Sequence, residues 1–328
     1  MQTSLEITLT IYKKLLEELV DIQEIRENYR KHGHPAYPKW EFCKKFLAKG
    51  NFSDSTSLQE YFYYAEIMTD CLVIAKCSGG EDIFSLGTFA NYGDAKVLKK
   101  IRTRVNDSNQ FKDLMTELHH AAWYILEPNN YTLTAFEEEG FPDFEVTLNG
   151  SRESYLVDCK RINSTSNENR YKSVIETANR QFKKFNGENN LNLPGLILLD
   201  VSDKVKASYD GLNLTDEIPP EVRNIANSLK SFVRKWNSSV SGVLLLWREI
   251  SLFGDLNSYV MAPMFSINDR VTLIEHSKPS AELPKSLESL SPGAFGAHYL
   301  IEPKKSHSVI NNTFSQYVNM PFNPYGFY

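Results

Sequence analysis

Apolar residues at Ile11, Leu15, Leu16, Leu19 and Ile22 recur at helical spacing, which predicts a helix over residues 5–30. The segment KHGHPAYPKW (31–40) ends it through Gly33, Pro35 and Pro38, and HGHP within it reads as a loop. Residues 39–105 read as mainly helical, interrupted by NFSDSTS and by CSGGEDIFSLG. From Asp107 the pattern sharpens. DSNQFKDLMTELHHAAWYIL sets Phe111, Leu114, Met115, Leu118, Ala122 and Ile125 on one face of a helix capped at Asp107 or Ser108. Pro128, Asn129 and Asn130 stop it. Three strand-like runs follow: YTLTAFEEE (131–139), FPDFEVTL (141–148) and SYLVDCKRI (154–162), punctuated by Gly140 and the NGSRE turn.

A second helix is predicted over about 166–186, with Thr165 and Glu168 as a capping box. Its apolar residues are Tyr171, Val174, Ile175, Ala178, Phe182 and Phe185. After the polar NGENNLNLPG comes LILLDVS (196–202), a near-continuous apolar run expected of a strand covered on both faces. PPEVRNIANSLKSFVRKW (219–236) reads as a helix opened by prolines, and SGVLLLWREI (241–250) and SYVMAPMFSI (258–267) as strands. The tail from 278 is rich in Pro, Ser and Asn and reads as irregular. The expected organisation is a mainly helical region, 1–105, and an α/β domain, 106–328, with a C-terminal extension. The core of that domain runs helix, three strands, helix, strand.

Composition narrows the function classes. Of 328 residues, 41% are hydrophobic and 23% charged, so a packed core is expected rather than disorder. A formal net charge of -5 argues against a protein that coats DNA by charge alone. It leaves room for an enzyme with an acidic metal site and a local basic surface. The four cysteines, Cys43, Cys71, Cys77 and Cys159, form no CxxC pair, so a zinc site is not expected. Such sparse cysteine suggests a reducing compartment, and a cytoplasmic location is the expectation. The N-terminal stretch lacks a signal-peptide pattern, and no apolar run approaches the ~18 residues of a membrane span. No GxxxxGK[ST] phosphate loop occurs.

The candidate chemistry lies in GFPDFEV and YLVDCKRI. Asp158 and Lys160 are two apart on a predicted strand, so they share a face with Leu156 and Ile162. Charges inside an apolar strand are costly unless paired or metal-bound. Asp143, just after Pro142, begins the preceding strand, and a short turn would bring the two carboxylates to one end of the sheet. Converging carboxylates suit Mg²⁺ or Mn²⁺, with Lys160 beside them to orient water or offset developing charge. The alternative is a structural ion pair.

Pro142-Asp143, a gap and then Asp158-Cys159-Lys160 resemble the signature of the PD-(D/E)XK nuclease superfamily. The predicted helix–three-strand–helix–strand order matches that family's restriction-endonuclease-like core, and the resemblance covers about a third of the chain. It implies a metal-dependent endonuclease with Asp143 and Asp158 as ligands, the Cys159 carbonyl as a further contact, and Lys160 assisting hydrolysis. It also implies Glu117 on the first helix and Gln181 on the second. Against these stand an ordinary solvated glutamate and a core hydrogen bond. His119 and His120 suit boundary packing, and the EEE run at 137–139 a solvated strand end. Basic residues in KVLKKIRTRV (96–105), with Arg161, Arg180, Lys183 and Lys184, flank the site as a nucleic-acid-contacting surface, DNA before RNA. By analogy the protein would act as a homo-oligomer in restriction or anti-phage defence. RNA or branched-DNA cleavage and a non-catalytic assembly module remain open, and residues 1–105 could bind a partner protein.

Overall fold

The alternation of apolar side chains in the strands builds a sheet that is covered on both sides. A computed structural model describes residues 9–49 (apart from 11, 15, 18 and 19), 67, 92–125, 129–205, 218–236, 238–253 and 264–284. The helices are α1 (Ile22–His32), α2 (Ala36–Lys49), α3 (Ala95–Val105), α4 (Gln110–Ile125), α5 (Glu168–Asn189) and α6 (Pro220–Trp236). The strands are β1 (Tyr131–Ala135), β2 (Phe144–Leu148), β3 (Ser154–Arg161), β4 (Gly195–Asp200), β5 (Val240–Phe253) and β6 (Met264–Glu275). They lie in sequence order in one mixed sheet. β1, β2 and β3 form an antiparallel meander, β3, β4 and β5 run parallel, and β6 returns antiparallel to β5.

Parallel neighbours need crossovers, and α5 and α6 supply them on one face. Val174, Ile175 and Phe182 of α5 and Val222, Ile225 and Leu229 of α6 pack there on Leu156, Ile197, Leu199, Val243 and Leu245. On the other face Leu114, Leu118, Ala121 and Tyr124 of α4 meet Phe144, Val146, Tyr155, Val157, Leu196 and Leu198. Leu196 and Ile197 thus point to opposite sides, which is why β4 is apolar without interruption. The architecture is α/β: a six-stranded mixed sheet flanked by helices.

Several boundaries differ from the sequence expectation. The predicted helix over 5–30 is interrupted at Val20 and Asp21, where Asp21 Oδ1 accepts the Gln23 and Glu24 amides at 3.0 Å and starts α1. HGHP gives the expected loop at 33–35, after His32 ends α1, and His34 is buried within it: its Nδ1 accepts the Ala36 amide at 3.2 Å, so Nε2 carries the proton and donates to the Val105 carbonyl at 3.0 Å. Asp107 caps α4 through the Asn109 and Gln110 amides, at 2.8 and 3.0 Å. Asn167, rather than Thr165 with Glu168, caps α5, because the Thr165 hydroxyl turns back to Asn163 Oδ1 at 3.0 Å. Residues 136–143 form the β1–β2 turn, so the acidic run at 137–139 belongs to that turn. The last strand is Met264–Glu275, which shares 264–267 with the expected 258–267 and continues beyond it, while 258–263 fall outside the described residues and the stretch 278–284 is irregular. NFSDSTS, CSGGEDIFSLG, Cys71 and Cys77 fall outside the described residues.

The core does not divide at residue 105. Leu9, Tyr12, Leu16, Ile25 and Phe42 belong to the same buried cluster as Leu118 and Tyr155. β4 begins on a glycine because nothing larger fits: a Cβ on Gly195 would lie 2.2 Å from the Phe182 ring and 2.5 Å from the Ser239 carbonyl. Gly195→Ala should therefore cost roughly 2–3 kcal/mol in denaturant unfolding. Gly150→Ala, with open space around it, should be near neutral.

Candidate active site

β3 carries the charged pair. Alternation turns Asp158 and Lys160 to the α5 side, in line with Leu156 and Ile162. Asp158 is fully buried, and its Oδ1 accepts the Lys160 ammonium at 2.5 Å. Its Oδ2 is buried with no hydrogen-bond partner. Burial drives the Asp158 carboxyl up to about 7, because the attraction of Lys160 is partly cancelled by the neighbouring acids Asp143 and Glu117. Burial works against the Lys160 charge as well, yet Asp158 and Asp143 outweigh it and hold the ammonium charged.

Asp143 stands where β2 begins. Phe144 pairs with Val157, so continuing the antiparallel register sets Asp143 opposite Asp158. At this point the ladder gives way. The Asp143 amide donates to the Val157 carbonyl at 3.0 Å, and the Asp143 Oδ2 accepts the Cys159 amide at 2.7 Å. The side chain thus takes over an amide for which β2 has no further backbone. The carbonyl of a strand residue points to the same side as its amide, so the Cys159 carbonyl also faces the Asp143 side. Lys100 of α3 lies 3.8 Å from Asp143 Oδ1 and donates to the Phe136 carbonyl at 3.3 Å.

Glu117 has other partners. It is buried on α4 and accepts both the Tyr92 hydroxyl and the Arg104 guanidinium. Burial, then the proximity of Asp143, raises its carboxyl above the usual range, against the pull of Arg104. Among the described residues no three His, Cys, Asp or Glu side chains converge closely enough to hold a metal. Glu117, which the sequence suggested as a further ligand, is held by Arg104 and Tyr92 and lies close enough to Asp143 and Asp158 to act on their charges.

Gln181 lies half-buried in the inward row of α5, and its Nε2 donates to the Phe141 carbonyl at 2.7 Å. That bond ties α5 to the turn bearing Pro142 and Asp143. Its Oε1 is buried without a partner. Arg161 is drawn to Asp203 and lies 3.8 Å from Asp113. Arg180 is exposed and donates to the Thr177 hydroxyl at 3.1 Å. Lys183 is exposed. Lys184 bonds Glu138 at 2.9 Å and the Glu139 carbonyl at 3.0 Å, with its ammonium 4.8 Å from the centre of the Phe141 ring.

Sequence reasoning missed Tyr92, Lys100 and Arg104 as individual members of this site. Lys96, Lys100 and Arg104 recur at i, i+4 and i+8 in KVLKKIRTRV, which puts them in one row of α3. Lys96 faces Glu137 at 3.9 Å, Lys100 faces Asp143, and Arg104 faces Glu117. The spacing was visible in the sequence, whereas its direction depended on how α3 packs.

The donors that fit a divalent ion are the Asp143 and Asp158 carboxylates and the Cys159 carbonyl, all hard oxygens. The orphaned Asp158 Oδ2 carries that fit, since a buried carboxylate oxygen without a donor calls for a cation.

No family model, curated protein or solved structure matches the chain. No helix among the described residues is long and apolar enough to cross a membrane.

Proposed function

We propose that this protein is a metal-dependent nuclease of PD-(D/E)XK type, with a restriction-endonuclease-like core and duplex DNA as its first-choice substrate. The observation that carries the reading is the buried Asp158, with one oxygen on Lys160 and the other unpartnered, and Asp143 beside it accepting the Cys159 amide. Element order supports it: α4, the β1–β3 meander, α5 and then β4 parallel to β3. Asp143, Asp158 and the Cys159 carbonyl would hold Mg²⁺ or Mn²⁺. When bound, the ion supplies Lewis-acid stabilisation of charge on a phosphodiester.

The chain's own groups have separable tasks. Asp158 holds the Lys160 ammonium at the buried end of the sheet, where its charge acts through little water. From there Lys160 orients the attacking water by donating to it and offsets the charge that develops on phosphorus-bound oxygen. Gln181 fixes the backbone just before Pro142 and so steadies the turn that carries Asp143. Glu117 adds negative potential from the α4 side.

A nuclease assay with and without Mg²⁺, beside Lys160→Ala, tests the reading. Mg²⁺-dependent cleavage that falls by about two to three orders of magnitude in the variant is expected. Running duplex DNA, single strands and RNA side by side separates the substrate classes. The pairing of Glu117 with Arg104 favours one rival, a non-catalytic module built on structural ion pairs. Calorimetry that detects no divalent-ion binding would decide for it.

A further inference from the structure

We propose that Lys100 of α3 is the phosphate-contacting residue of this site, which a divalent ion releases from Asp143 to bind the nucleic-acid backbone. The inference rests on the nuclease reading above and adds a substrate-binding role for a helix outside the acid–lysine motif.

The shortest charge pairs around the site are Lys100 with Asp143, Arg104 with Glu117 and Lys160 with Asp158, within a cluster where Lys100 also acts on Glu117 and Lys160 on Asp143. Three acids thus meet three cations, and this set is neutral before any ion arrives. A divalent ion shared by Asp143 and Asp158 brings two positive charges and makes the set attractive to a phosphodiester. The three cations differ in how firmly they are held. Lys160 sits 2.5 Å from its acid, and Arg104 shares Glu117 with the Tyr92 hydroxyl. Lys100 is 3.8 Å from Asp143, beyond hydrogen-bond reach, and its side chain keeps 28% exposure against 16% for Arg104 and 21% for Lys160. Its hydrogen bond goes to the Phe136 carbonyl, a neutral acceptor. An ion that takes up the Asp143 charge weakens the ionic hold on Lys100, which is then shared only with the more distant Glu117, and leaves its partly exposed ammonium able to turn to a phosphate. One turn earlier on the same face, Lys96 is 75% exposed and continues the positive row outward along α3. A phosphate chain entering the site from solvent would therefore run along α3.

Lys100→Met and Lys100→Arg test this on the full chain, with melting temperature as the folding control. Titration with Mn²⁺ alone should show tighter binding to Lys100→Met than to wild type, because the competing cation has gone from Asp143. Binding of a fluorescent DNA duplex with Ca²⁺ in place of the catalytic ion should weaken by about tenfold in Lys100→Met, and the salt-dependence slope should fall by about one. Lys100→Arg should restore duplex binding. Unchanged duplex affinity and slope in Lys100→Met, or weaker Mn²⁺ binding, overturns the inference. A wild type that binds duplex through Lys100 but never cleaves keeps this role and removes the hydrolytic reading. A wild type that cleaves while Lys100→Met binds as wild type does the reverse, and a wild type that binds no duplex removes both.

Discussion

Replacing Asp158 by asparagine is expected to abolish cleavage and, in the same protein without metal, to raise the melting temperature. The two effects share one cause. Asp158 ionises poorly where it stands, held up at about 7 by burial and by the acids around it, in spite of Lys160. From the ordinary carboxyl value of 3.8 that is a deficit of at most about 4 kcal/mol at alkaline pH. Asparagine keeps the shape and an acceptor for Lys160 while removing the unfavourable charge. Lys160 loses an ionic partner in exchange, so the net gain near pH 8 should be about 1–2 kcal/mol, or roughly 2–4 °C per kcal/mol in thermal unfolding. Loss of a metal ligand forfeits several kcal/mol of transition-state stabilisation, which at about 1.4 kcal/mol per tenfold is a rate loss of about a thousandfold. A structural ion pair predicts the opposite stability change, since breaking a buried pair from one side costs about 3–5 kcal/mol. Calorimetric melting of metal-free wild type and Asp158→Asn at pH 8 separates the two: a variant that melts lower shows that the Asp158–Lys160 pair is net stabilising and overturns the stability prediction.

The readable part of this chain was the part governed by local periodicity. The period-2 placement of Leu156, Asp158, Lys160 and Ile162 fixed their common face before any pairing was known, and the structure keeps it. The unbroken apolar run of β4 announced a strand buried on both sides for the same reason. Gln181 fell in the inward row of α5 by helical spacing, and it is found there bonded to Phe141. What escaped depended on long-range packing. Glu117 looked like a ligand from its place on α4, but Tyr92 and Arg104 reach it from elsewhere in the chain, and neither partner is indicated by the spacing of α4. Lys100 read as one charge in a basic run until α3 was seen lying beside the β1–β2 turn. Likewise Asn167 displaced Thr165 as the cap of α5 through competition among nearby side chains in the loop, which a cap pattern does not resolve.

Divalent metal should stabilise the protein, and by more at pH 8 than at pH 5.5. The sign follows from Asp158. Its folded-state value, about 7, lies above the ordinary 3.8 of an unfolded carboxyl. Between those values the folded chain holds a proton that the unfolded chain has released. This group's contribution to metal-free stability is therefore greatest below about pH 4, falls as pH rises to about 7 and then levels off. A metal ion binds the ionised carboxylate, so below pH 7 it must displace that proton, and its affinity should drop by up to about tenfold per pH unit. At a concentration 100 times its dissociation constant the ion adds about 2.7 kcal/mol, whereas weaker binding at pH 5.5 leaves about 1 kcal/mol at the same concentration. On the proposed reading the profile of cleavage against pH should rise through the same region, because the deprotonated form of Asp158 is the one that would bind the ion. Melting curves with and without Mn²⁺ at the two pH values, on wild type and Asp158→Asn, provide the measurement. Equal metal-induced shifts at both pH values, or a shift that persists in Asp158→Asn, would place the ion away from β3.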